Sequence, residues 1–226
     1  MIQNPVCLTI EFEQNMRKSI GIVLVLLLVS GGVSAQNYNA KITGGAIAEQ
    51  QQKYGDAIEK LEDALAHQDM IKKSKNIAKA YYHLYRSYYV IGSDTSKKEL
   101  RAQYPEALFM AKENLQKFLN HPDASNANKN SIKLSNGEQN LGIALYSAGV
   151  DRFNSQTDYA GALKYFNAAD EMNPDHFLTN RMLGSTHIIL EDTSNSVNSL
   201  KRCLEIYNKK YVMPENAEEI KAADAY

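Results

Sequence analysis

Cysteine is almost missing from this sequence: Cys7 lies near the start and Cys203 near the end. A lone thiol beyond the first 35 residues cannot close an internal disulfide. Cys203 is read instead as a small buried core residue, because free cysteine is among the most buried residue types. A bias of charge is missing too. Lys and Arg number 25 against 26 Asp and Glu, a net charge of −1. That balance argues against nucleic acid, which is usually met by a basic face, and against a polybasic membrane anchor. No HExxH, CxxC, glycine-rich phosphate loop or Gly-x-Ser-x-Gly elbow occurs. His67, His83, His121, His176 and His187 are scattered without metal-ligand spacing. Glu59, Glu62 and Asp63 fall on the polar side of an amphipathic helix, as a solvated face rather than an acid–base pair. No catalytic residue, metal or cofactor is therefore predicted. Nowhere does apolar/polar alternation with turn signals indicate strands, so the fold class is all-α.

What is present begins near the N-terminus. Met16-Arg17-Lys18 is followed by an apolar run from Ile20 to Val29, then Gly31-Gly32 and Val33-Ser34-Ala35. A basic start, a short apolar run and small residues before the cut describe a secretory signal over 16–35, cleaved after Ala35. Residues 1–15 read as an upstream extension, with Met16 as the initiator. The run is shorter than the roughly 20 apolar residues of a membrane span. No stable span is expected after cleavage, and an uncleaved anchor is the alternative. The mature protein is thus expected in the periplasm or outside the cell. Residues 36–45 read as a polar leader, or as the weak start of a first helix.

From residue 46 onward the apolar residues recur at helical spacing. Ala57, Leu61 and Ala64, with Ile58 and Leu65 beside them, form one stripe. A tyrosine-rich helix follows over 77–91, and Gly92 to Ser96 ends it. The charged stretch 97–103 is a connection, and Pro105 opens a helix that runs to His121-Pro122. Asp123 to Gly137 reads as a loop or a poorly packed helical start. Helices are predicted over 141–153, from Tyr159 to Pro174, over 177–190 and over 197–207, with a last stretch from Pro214. Gly149 stands where close helix contact needs a small residue. Tyr81, Tyr85 and Tyr88 are read as packing between helices; Tyr82 and Tyr89 share a strip with Arg86, where core and binding surface are equal alternatives.

Two of these segments carry one small/large/small signature. Ala162, Phe166 and Ala169 are each followed 34 residues later by Ser196, Leu200 and Cys203. A fixed period of this size marks a helix–turn–helix repeat. With Asp158-Tyr159, Pro174 and Leu183-Gly184, the pattern resembles the tetratricopeptide repeat family, as do Tyr54-Gly55-Asp56-Ala57 with Leu61 and Ala64. Tyr81, Leu84, Tyr88, Ala107 and Ala111 fit once longer loops are allowed. The resemblance implies about four antiparallel helix pairs stacked as a right-handed superhelical solenoid over 46–213. Residues 214–226 would form a C-terminal helix, or the start of a further repeat.

The same resemblance implies an inner face, lined by the first helix of each pair, that binds a partner protein or peptide. Its candidates are Lys79, Tyr82, Arg86 and Tyr89, then Asp151 and Asn154, then Arg181 and Ser185. The family's carboxylate clamp is not expected, since its places hold residues such as Tyr82, Ser147 and Asp151. The reading is a non-enzymatic scaffold or adaptor of the bacterial cell envelope. Two alternatives stand beside it: a carbohydrate-binding accessory protein using exposed tyrosines, and the N-terminal part of a longer repeat protein with a downstream domain.

Overall fold

A computed structural model describes residues 38–211, so the signal expected at 16–35 and the stretch from Pro214 lie outside the described residues. The described residues are helical throughout, with turns between and no strand. Helix α1 covers residues 38–50 and α2 is Tyr54–Leu65. A single 3-10 turn, Gln68–Met70, leads to α3, Ser74–Ser93. Then follow α4 (Lys98–Gln103), α5 (Ala107–Asn120), α6 (Asn126–Leu134) and α7 (Gly137–Asn154). The series ends with α8 (Tyr159–Met172), α9 (Phe177–Ile189) and α10 (Thr193–Tyr211).

Three hairpins carry the closest approaches. A Cβ placed on Gly45 of α1 would stand 2.5 Å from Leu61 of α2. On Gly149 of α7 it would stand 2.6 Å from the Phe166 ring of α8, and on Gly184 of α9, 2.5 Å from Leu200 of α10. Real side chains do not meet at these separations, so the helix axes come together only because no Cβ is present. The large residues answering these glycines are flanked by small ones: Ala57, Ala64, Ala162 and Ala169 are fully buried. Helices α3 and α5 form a further pair, touching where Gly92 meets Leu108. Across these pairs α3 also touches α7, and α7 touches α9. Phe109 of α5 packs on Tyr165 of α8, and Asp170 of α8 pairs with Arg202 of α10.

The turn inside each of these three tight hairpins has a second shared feature. Gln52, Gln156 and Glu191 all adopt left-handed φ near 60°. None is glycine, although such a conformation strains a side chain-bearing residue. The turn before α8 is one residue longer than its counterparts and is held by Asp158. This N-cap accepts from the Gly161 amide at 2.9 Å and from Arg152 at 2.6 Å, and the Arg152 bond, then the amide, hold its carboxyl below the usual range.

Several sequence expectations need correction. Residues 38–45, read as leader or weak helix start, belong to α1, with Ile42 and Gly45 buried in the first hairpin. The charged connection contains the short helix α4, whose Leu100 reaches Gly55. The Asn/Ser/Lys-rich stretch forms α6, anchored by the buried Ile132 while Leu134 stays exposed. Pro105 precedes α5 by two residues instead of opening it. Cys203 is only partly buried, on a helix that is open along much of its length: Val197, Leu200, Leu204 and Tyr207 are all exposed. Burial nonetheless pushes its thiol pKa up, against the nearby Arg181, which favours the unreactive protonated form.

The two glycine contacts at Gly149 and Gly184 differ in what surrounds them, which sets up a comparison. Phe166 is fully buried, while Leu200 is partly open to solvent and can yield. Gly149→Ala is expected to lose up to about 2 kcal/mol, since against a ring with no exposed face overpacking at about 1–3 kcal/mol is offset by a helix-propensity gain of only about 1 kcal/mol. Gly184→Ala is expected to be neutral or stabilising. Urea unfolding of the two variants checks the difference; equal effects would contradict it.

Candidate functional site

The tyrosine-rich α3 places Lys75, Lys79, Tyr82, His83 and Arg86 on one face, at i, i+4, i+7, i+8 and i+11. This face borders a first cleft of about 630 Å³, closed by the end of α5 and the start of α6. Behind it stands Glu49 of α1, a carboxylate only 3% exposed. Its Oε1 is ion-paired with Arg86, 3.0 Å from Nε, and its Oε2 lies 3.1 Å from His83 Nδ1. A buried carboxylate is costly unless its lone pairs are used, and both oxygens are engaged here. The pair also ties the first hairpin to the second. Burial alone would lower the Arg86 pKa, but the Tyr82 hydroxyl and the Glu49 charge more than offset it and raise it.

One turn beyond Arg86, Tyr89 enters a second cleft of about 280 Å³ between α3, α4 and α7, with Arg101, Ser147 and Asp151. Its α7 wall includes Asn140 and Ile143. The same two residues border a third cleft, about 610 Å³, which continues through Gln139, His176, Ile206 and Lys209. Helix α7 is therefore a shared wall of the second and third clefts, while α3 lends Arg86 to the first and Tyr89 to the second. Ile143 is an exposed apolar residue amid side-chain amides.

The predicted site residues divide accordingly. Lys79, Tyr82 and Arg86 meet in the first cleft; Tyr89 and Asp151 meet in the second. Asn154, Arg181 and Ser185 line none of the three: Asn154 and Arg181 are exposed elsewhere and Ser185 is half-buried. Tyr82 is a floor residue, 7% exposed, with its ring 5.3 Å from that of Phe118. Tyr85 and Tyr88 are buried as read, and burial pushes the Tyr85 hydroxyl up to about 12. Sequence reasoning missed Glu49, Asn140, Ile143 and His176. The apolar periodicity of α7 pointed to its core side; the polar strip opposite it, Asn136, Asn140, Ser147 and Asp151, was the available signal.

Among the described residues no group of three or more His, Cys, Asp or Glu side chains could hold a metal. No described helix is long and apolar enough to cross a membrane. No protein-family model matches the chain, and no curated protein matches it. The tetratricopeptide resemblance thus stands on the motif residues quoted for it.

His176 gives the third cleft a pH dependence. Burial, and then Lys210, lower its pKa below the ordinary 6.5, while its Nδ1 lies 2.7 Å from Thr179 Oγ1 and its ring stands edge-on to Tyr146. Below 6.5 the unfolded chain binds this proton first, so the residue makes stability rise with pH until the unfolded value is passed, and adds no slope above it. The unfolding midpoint is expected to fall on acidification in that window, less so in His176→Asn. Identical pH profiles would contradict this.

Proposed function

We propose that this protein is a non-enzymatic scaffold or adaptor whose surface along α3 and α7, here its A side, binds an extended segment of a partner polypeptide. The observation that carries the reading is the continuity of the second and third clefts, to both of which Asn140 and Ile143 belong, with the first cleft's Arg86 three residues before the second cleft's Tyr89 on α3. A surface running across α3 and α7 suits an elongated ligand better than a compact one. Side-chain amides pair with peptide N–H and C=O groups, and Ile143 offers an apolar contact between them.

The finer architecture belongs to the same proposal. Glycine-to-large contacts recurring in three hairpins, and A-side helices touching in sequence, support a tetratricopeptide-like solenoid of four helix pairs. We assign α1 with α2, α3 with α5, α7 with α8, and α9 with α10 as those pairs. Export through a signal over residues 16–35, with the mature protein periplasmic or secreted, completes the reading. The carbohydrate alternative is weakened by the burial of Tyr82, which leaves Tyr89 alone of the two tyrosines it relied on.

A photo-crosslinking residue at Ile143 is expected to label a discrete protein in envelope extract, and Asn140→Ala with Tyr89→Ala is expected to reduce that labelling. The same probe at Leu134, exposed on α6, serves as control. No adduct at Ile143, or equal adducts at both positions, would contradict the groove assignment.

A further inference from the structure

We infer that the first cleft takes an acidic peptide segment, its carboxylates held by Lys75, Lys79 and Arg86. This rests on the reading of the protein as a binder of polypeptide, and it names the chemistry of one part of that partner. Lys75 and Lys79 sit one turn apart on α3, where like charges repel. Neither has an ion-pair partner among the described residues. Arg86 completes the row, two turns further along the same face. Its guanidinium is about half exposed, yet its Nε is fixed by the buried Glu49, and Nη1 lies 3.4 Å from the Tyr82 hydroxyl. A fork anchored on one edge keeps its remaining N–H donors for a second carboxylate, with its ordering already done.

Asp123, on the facing wall, is the one carboxylate lining the cleft. Even with Glu49 counted against Arg86, the cations remain in surplus. The rest of the lining favours a peptide. Tyr82 and Phe118 form an aromatic floor, and the amides of Gln50, Asn76 and Asn128 can meet a peptide backbone. Nucleic acid fits less well, because the chain as a whole is nearly neutral, with 25 Lys and Arg against 26 Asp and Glu.

The test is fluorescence anisotropy on the whole protein with a labelled Glu-Ser repeat peptide, its Gln-Ser counterpart and a single-stranded DNA oligonucleotide. The Glu peptide is expected to bind about tenfold or more tighter than the Gln peptide, and to weaken as salt is raised. Lys75→Gln with Lys79→Gln, both outside the core, is expected to remove most of that difference, while Lys201→Gln on exposed α10 leaves it unchanged. Equal affinity for the Glu and Gln peptides, no effect of the double substitution, or tighter binding of the oligonucleotide would overturn the inference. Should the Glu peptide fail while Ile143 still crosslinks a partner, the acidic ligand is wrong and the scaffold reading stands. Loss of both would remove the scaffold reading as well.

Discussion

The architecture depends on how closely two helices of one hairpin can approach. Gly149 against Phe166 shows the constraint most fully: a Cβ on the glycine would overlap a ring that has no room to move. With the Cβ missing, the aromatic ring fills the space between the axes and the alanines on either side of it, Ala162 and Ala169, are sealed from water. Removing a phenylalanine from such a site costs about 3–5 kcal/mol, comparable to a sizeable part of the net stability of a small domain. The same device recurs at Gly45 with Leu61 and at Gly184 with Leu200. One local rule thereby recurs in three hairpins.

Because the large residues point inward between paired helices, the outer strips of α3 and α7 need not pack, and they remain polar. That is what makes room for clefts along the A side. The buried Glu49 joins these two levels. It belongs to the packing, since it ties α1 to α3, and it also fixes the exposed Arg86 at the edge of the first cleft. Core and surface are coupled through one carboxylate. Helix α10 shows the converse: no described helix lies over its outer side, and Val197, Leu200 and Leu204 are exposed at positions where spacing alone suggests core.

The all-helical class and most of the helices were legible from period and punctuation, and Gly149 was legible as a contact residue. Gly45 was not, because the polar residues around it (Asn39, Lys41, Thr43) resemble a leader when the partner helix is unknown. Helices α4 and α6 were hidden for a related reason: each buries little, so its sequence carries almost no apolar period. The candidate site was legible in part. The strip of Lys79, Arg86 and Tyr89 does reach the clefts, but Tyr82 lies under it, since helical spacing alone does not say how deep a strip sits. Glu49 could not have been found by motif. Its role comes from His83 and Arg86, 34 and 37 positions away in the chain, and tertiary contact alone brings them together.

The most direct measurement of the central claim is a double-mutant cycle between Gly149 and Phe166, with Gly149→Ala and Phe166→Leu made singly and together and followed by urea unfolding. If the missing Cβ and the ring share one space, the smaller leucine side chain accommodates the added methyl. The double variant should then be more stable than the sum of the single effects predicts, by an interaction energy of about 0.5–3 kcal/mol. Strict additivity would contradict the account, because it would mean that Gly149 and Phe166 do not limit each other.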